Sequence, residues 1–171
     1  GESGGGIVVI PPGEWLTAQV HLKSNVNLHL MKGAVLLFSD NPSDYLPAVH
    51  STWEGLECYN YSPLIYAYQC KNVAITGEGE VQALMDNWKK WAGRPRAHMN
   101  SLKNLYYWAF DNKPVNERNM VNDSSNLRPQ FIQFNRCENI LIDGVSIKNS
   151  PFWTIHLYLS KDIVVRNVKV W

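Results

Sequence analysis

Asn139-Ile140-Leu141-Ile142 and Asp162-Ile163-Val164-Val165 share one pattern: a polar Asn or Asp, an aliphatic residue, any residue, a second aliphatic. They start 23 residues apart. Asn25-Val26-Asn27-Leu28-His29-Leu30 and Asn72-Val73-Ala74-Ile75 carry the same pattern upstream. Asn25 to Asn72 is 47 residues, which reads as two steps of about 23.5, and Asn72 to Asn139 is 67, which reads as three steps of 22 to 23. A short strand with alternating apolar residues cannot bury its inner face alone. Stacking copies in parallel buries those faces against one another and completes the backbone ladders. The pattern therefore predicts an all-β fold, a right-handed parallel β-helix: a single-stranded solenoid of about 23 residues per coil. Composition agrees, with 17 Asn and 15 Val against 9 Ala. Asn tolerates left-handed turns and can stack its amides, and Val favours strands. The competing reading is an antiparallel β-sandwich with accidental spacing.

One segment, about 84–127, interrupts the repeat. It holds Trp88, Trp91, Tyr106, Tyr107, Trp108 and Phe110, with basic Lys89, Lys90, Arg94, Arg96, Lys103 and Lys113 interleaved. Short helices are expected at Met85–Trp91 and Ser101–Phe110. Solenoids commonly carry such insertions on one face, often the binding face. Aromatic rings can stack on sugars and the cations suit an acidic polymer. The segment can equally be a packed loop whose aromatics are buried.

The rest of the composition sets bounds. With 171 residues the chain has the size of one domain. Forty-five per cent hydrophobic and 18% charged residues describe an ordered chain. Sixteen Lys+Arg against 15 Asp+Glu leave a net charge of +1, so nothing global attracts nucleic acid or an anionic membrane. No apolar run approaches the roughly 20 residues of a membrane span. Cys58, Cys70 and Cys137 are an odd count without CxxC spacing, which points to buried thiols over zinc or a disulfide framework. Asn60-Tyr61-Ser62 and Asn122-Asp123-Ser124 match the glycosylation sequon, a frequent chance match.

None of the carboxylates forms a convincing catalytic set. Glu78 and Glu80 most simply flank a turn, Asp143 precedes Gly144 in a turn, and Asp162 takes the polar position of the repeat. Asp86, Asp111 and Asp123 lie in the insertion without supportive spacing. There is no HExxH, P-loop or serine elbow. His21 and His29 fall in strand-like segments, where a hydrogen-bonded structural His is the commoner finding. His156 follows Asn149-Ser150-Pro151-Phe152-Trp153-Thr154-Ile155, read as a polar strand with a ligand-facing side or as a strand ending on a core His.

Several stretches resemble the polygalacturonase family, glycoside hydrolase family 28. Gly4-Gly5-Gly6-Ile7-Val8-Val9-Ile10-Pro11-Pro12-Gly13-Glu14-Trp15 is similar to the opening of its β-helix. Leu22-Lys23-Ser24-Asn25-Val26-Asn27-Leu28 with Lys32-Gly33-Ala34 is similar to its next rung, and Gly77-Glu78-Gly79 to the rung before its first large loop. Arg128-Pro129 before Phe131-Ile132, and Asn149-Ser150-Pro151-Phe152-Trp153 to His156, match more specifically. The resemblance implies inverting hydrolysis of an α-linked galacturonan or related pectin. It places Arg128, Trp153 and His156 in the groove, with Trp88, Trp91 and Lys89 as outer subsites. It implies a pectic polysaccharide partner, no nucleic acid, no cofactor, no metal, and a secreted or periplasmic location. The family's N-x-D, D-D, G-H-G and R-x-K motifs are not found. Arg166-Asn167-Val168-Lys169 has the wrong spacing for R-x-K, and N-x-D is expected just beyond Trp171. The catalytic residues are thus expected outside this chain, which reads as the N-terminal part of a longer enzyme, a β-helix incomplete at both ends, inactive alone and prone to self-associate through its exposed end. A non-catalytic carbohydrate-binding β-helix and a pectate lyase are the alternatives, and no acidic cluster of the kind a calcium-dependent lyase needs is visible.

Overall fold

In a computed structural model, which describes residues 4–122 and 124–171, Asn25, Asn72, Asn139 and Asp162 all adopt left-handed backbone, with φ of 62°, 54°, 58° and 56°. That conformation costs an ordinary L-residue and is tolerated by Asn and Asp. The amides also form a ladder. Asn72 Nδ2 donates to Asn25 Oδ1 at 2.6 Å, and Asn139 Nδ2 donates to Asn72 Oδ1 at 2.8 Å. The repeated polar residue is thus the corner of each coil, and the corners stack.

The first coil is β1 (Gly6–Ile10), β2 (Gly13–Thr17) and β3 (Val20–His21). The second is β4 (Val26–Leu30) and β5 (Ala34–Phe38), then an outlying antiparallel hairpin of β6 (Val49–Trp53) and β7 (Leu56–Asn60), then β8 (Ile65–Tyr68). The third is β9 (Lys71–Gly77) and β10 (Glu80–Ala83), then helices α1 (Asp86–Ala92) and α2 (Arg96–Phe110), then β11 (Ile132–Asn135). The fourth is β12 (Glu138–Asp143), β13 (Ser146–Lys148) and β14 (Ile155–Tyr158). A fifth coil begins with β15 (Lys161–Arg166) and β16 (Lys169–Val170). Three parallel sheets result: β1-β4-β9-β12-β15, β2-β5-β10-β13-β16 and β3-β8-β11-β14. This is the right-handed parallel β-helix expected from the repeat.

The counting of coils is corrected. Asn27 pairs directly with Ala74, and Lys71 directly with Glu138, so the intervals of 47 and 67 residues are single coils, not two and three. Each is lengthened by an insertion that happens to approach a multiple of the bare step. Glu138 to Lys161 is a bare coil of 23. The second-coil insertion, a 3-10 turn at Pro42–Tyr45 and the β6–β7 hairpin, was absorbed by that arithmetic. The third-coil insertion carries both expected helices, with α2 starting at Arg96 instead of Ser101.

Stacking is what buries the core. Leu28, Ile75 and Ile142 occupy one inward row at 3%, 0% and 0% exposure, whereas Val165, next in that row, is 42% exposed. Burying one such side chain is worth about 1.5–3 kcal/mol, and here it depends on having a rung on both sides. A second core of Trp53, Cys58, Leu102, Leu105, Met120 and Leu127 forms between hairpin and α2, with Phe152 packed against it. It anchors the insertions over the third sheet. All three cysteines are buried, and burial pushes the Cys58 thiol up to about 12.

Candidate functional site

Alternation on the third sheet sends Ile65, Ile132 and Ile155 inward and the following residues, Tyr66, Gln133 and His156, outward in one register row. His21 heads that row opposite Tyr66. Tyr68, Asn135 and Tyr158 form a second outward row. The β6–β7 hairpin lies over this face. Tyr66 OH donates to the His50 carbonyl at 2.6 Å, Asn135 Nδ2 donates to the same carbonyl at 3.3 Å, and Ser51 Oγ donates to Gln133 Oε1 at 3.0 Å. Glu57 of the hairpin pairs with Arg136 at 2.6 Å and His50 Nε2 at 3.0 Å. Burial pulls the Glu57 carboxyl upward, but Arg136 and His50 together outweigh it and hold it below the usual range. Tyr66 and Gln133 are therefore covered, at 5% and 0% exposure, although they point away from the helix core.

At the β14 end of this face the expected groove residues come together. Trp153 is 45% exposed. Its ring stacks beside Phe152 at 5.6 Å and meets the His156 ring edge-on at 4.9 Å. Phe152 in turn stacks on Trp53 at 4.2 Å and 5°, so the exposed tryptophan is backed by an aromatic pile rooted in the second core. Arg128 lies over Phe152 at 5.3 Å, and its Nη1 donates to the Pro151 carbonyl at 2.7 Å. Burial, and the nearby charge of Arg94, weaken its hold on the proton, although a guanidinium remains charged. Arg94 is paired with Glu54 at 2.7 Å, whereas Arg128 has no carboxylate partner among the described residues. Burial lowers the His156 pKa, so the ring is neutral at pH 7. The local fold explains the arrangement. Asn149 turns the chain in left-handed backbone (φ 58°), Pro151 has no N–H for a ladder, and the strand resumes only at Ile155. The polar strand expected from Asn149 onward is thus an irregular bend, and that bend is what lets Trp153 project.

The second expected group lies elsewhere. Trp88 is fully buried, edge-on to Tyr45 at 5.5 Å and to Trp91 at 5.2 Å, so as an outer subsite it is corrected: its ring has no face for a sugar. Trp91 is half-buried against Tyr61, and Lys89 is exposed. Neither is in contact with the Trp153 cluster. The acidic residues mostly hold structure. Glu80 pairs with Lys148 at 2.6 Å, Asp143 with Arg166 at 2.9 Å, and Glu78 is exposed on its turn. Asp86 and Asp111 are exposed, and Asp123 lies outside the described residues. His21 bonds Ser62 and His29 bonds Thr76, as structural histidines do. Asn60 of the first sequon is buried. No group of three or more potential metal ligands occurs among the described residues, and no helix there is long and apolar enough to cross a membrane. Gln133, Phe152 and Trp53 were missed. Gln133 was within reach, since it is one bare 23-residue step before His156.

No family model matches the chain. It is 26% identical over 175 residues to a probable polygalacturonase of Vitis vinifera, covering 99% of this chain and 30% of that protein. It is 26% identical over 182 residues to an exo-poly-α-D-galacturonosidase of Dickeya chrysanthemi, covering 92% and 29%. The chain therefore spans about 30% of the length of these curated relatives. Among solved structures, a hyperthermoactive exopolygalacturonase of Thermotoga maritima is 41% identical with a TM-score of 0.92, over 99% of this chain and 40% of that one. A family 28 exopolygalacturonase of Yersinia enterocolitica, 21% identical with a TM-score of 0.65 over 96% and 33%, shares the fold. Sequence and fold together make these 171 residues similar to polygalacturonases, over a part of those proteins' length.

Proposed function

We propose that this chain forms one wall of the substrate groove of a pectin-degrading, polygalacturonase-type glycoside hydrolase acting on α-linked galacturonic acid polymers by inversion. The observation that carries the reading is the convergence of an exposed Trp153 ring, a neutral His156 and an Arg128 without a carboxylate partner on one margin of the third sheet. The ring face suits the apolar face of a sugar. The guanidinium suits a uronate carboxylate, which it can bind through two parallel hydrogen bonds. Inversion needs one carboxylic acid to protonate the leaving oxygen and one carboxylate to activate water, about 6.5–9.5 Å apart. Glu54 and Glu57, in the hairpin above this face, are each tied to an arginine, which leaves them poor candidates. No carboxylate of this face is assigned here as the acid or the base. Alone, the chain would hold sugar without cleaving it.

The hairpin bonded over Tyr66 and Gln133 is read as closing one end of the groove, and such closure favours cleavage from chain ends. The relative at 41% identity is named an exopolygalacturonase, which supports this. A secreted or periplasmic location follows from a polymeric substrate. The test is binding and turnover of galacturonic acid oligomers by the intact enzyme and its Arg128→Ala and Trp153→Ala variants. Loss of kcat/KM in both, with monomer as the sole early product, is expected. Unchanged kcat/KM in both would overturn the groove assignment, and early release of mixed oligomers would overturn action from chain ends.

A further inference from the structure

Helix α2 buries one side and leaves large apolar groups on the other. Leu102 and Leu105 belong to the core around Trp53, and His98 is edge-on to the Trp53 ring at 5.9 Å. Trp53 and Phe152, which back the groove tryptophan, therefore meet the inner side of the helix. On the solvent side Met99 is 45% exposed, Tyr106 49%, Tyr107 53% and Phe110 84%. Met99, Lys103, Tyr106 and Phe110 follow at steps of four, three and four, so they share one stripe. At a pitch of 5.4 Å that stripe is about 16 Å long. A surface helix normally turns polar groups to water, and a contiguous apolar row there marks an interaction surface. Cations accompany the rings. Lys103 Nζ lies 5.6 Å from the centre of the Tyr107 ring. From Asp86 to Lys113 the chain holds six basic and two acidic residues, a net +4. The whole chain is +1, so everything outside this stretch is net −3. Helix α2 itself contains Arg96 and Lys103 and no carboxylate. Arg94 with Glu54 is the one ion pair of the stretch among the described residues, so its other five cations lack a carboxylate partner there.

We infer that the outer face of α2 is a second binding surface for acidic polysaccharide, apart from the groove, where Tyr106, Tyr107 and Phe110 offer ring faces to sugar units and Lys103 attracts their carboxylates. This rests on the reading of the chain as part of an enzyme acting on galacturonic acid polymers. Charge complementarity selects the occupant. A polyuronate carries a carboxylate on every unit and C–H faces that pack on rings, so it matches both features of the stripe. A second copy of the chain matches them poorly, because a two-fold contact would bring two +4 insertions together. The surface has a use in cleavage. A polymer held on α2 keeps its end near the groove at a raised effective concentration, whereas a short oligomer occupies one surface at a time.

The test compares polygalacturonate with the galacturonic acid dimer as substrates of the intact enzyme, its Lys103→Glu variant and its Tyr106→Ser, Phe110→Ser double variant. These side chains are exposed, so both variants should fold. Each is expected to raise KM for the polymer by about 3- to 10-fold, what one or two ring or charge contacts supply, and to leave kcat/KM for the dimer unchanged. The effect of Lys103→Glu should shrink as salt is raised. An unchanged KM for the polymer, or equal losses on polymer and dimer, overturns the inference. So does a wild-type oligomer that the double variant dissociates in sedimentation, since a second copy would then cover the face. Failure to cleave either substrate would instead overturn the reading as a pectin hydrolase. Retardation of the wild type in a gel containing polygalacturonate then decides the inference separately: loss of retardation in the double variant supports it, and equal mobility overturns it.

Discussion

Gly77→Ala should cost far more than Gly55→Ala, although both glycines have left-handed φ, 112° and 90°. The added methyl differs only in what it meets. At Gly55 nothing lies within 4 Å of a built Cβ. At Gly77 the same Cβ falls 2.0 Å from the Leu30 carbonyl oxygen of the neighbouring rung. Ordinary contact begins near 3.4 Å, so the rungs must part by more than an ångström there. That carbonyl accepts from Gly79 N at 3.2 Å, and Leu30 pairs with Gly77 at the end of the β4–β9 ladder. Losing two or three backbone hydrogen bonds costs about 2–3 kcal/mol at about 1 kcal/mol each. Backbone strain adds about 1–3 kcal/mol, and both variants carry it. Urea unfolding followed by tryptophan fluorescence should therefore show Gly77→Ala less stable than Gly55→Ala by about 2–3 kcal/mol. Equal losses would refute the claim that rung-to-rung approach, and not φ alone, demands glycine at position 77.

The two tryptophans should separate function from stability. Trp88→Ala should destabilise by about 3–5 kcal/mol, as expected for a fully buried aromatic, whereas Trp153→Ala should leave the urea midpoint nearly unchanged and weaken binding of galacturonic acid oligomers measured by calorimetry. Glu57 should make the hairpin acid-sensitive. Its carboxyl is depressed in the folded state, so its contribution is present above the unfolded value, near 4.5, and is lost as pH falls through the lower folded value. Wild type should accordingly lose more stability than Glu57→Gln on acidification below about 4.5, and identical pH slopes would count against the clamp. The 171-residue chain expressed alone leaves Ile163, Val165 and Trp171 exposed at 37%, 42% and 61%. Such an open rung should pair with another copy in sedimentation, and a monodisperse monomer would show that this edge is tolerated in water.

The legible parts were those that recur once per coil. A left-handed corner every rung demands Asn or Asp, and an inward row every rung demands an aliphatic. Asn139-Ile140-Leu141-Ile142 and Asp162-Ile163-Val164-Val165 therefore disclosed both the strand and its step. Insertions obey no such period. The hairpin between β5 and β8 and the helices between β10 and β11 add lengths set by their own packing, and this is why 47 and 67 residues were miscounted as multiples. Trp88 and Trp153 both stand in aromatic-rich stretches. Nothing local says that Tyr45 and Trp91 will close over one while Phe152 and Trp53 prop up the other. Gln133, in Ile132-Gln133-Phe134, carries no chemistry until the register sets it beside His156.

By itself, then, the amino-acid sequence determined the coil, its corners and its inward rows, because those depend on backbone conformation and on the nearest rung. Only the tertiary structure decided which outward residues meet, which aromatic is left exposed, and which amide faces the His156 ring. Those outcomes depend on contacts between segments as far apart as Ser51 and Gln133, whose approach is set by how two insertions fold over one face of the solenoid.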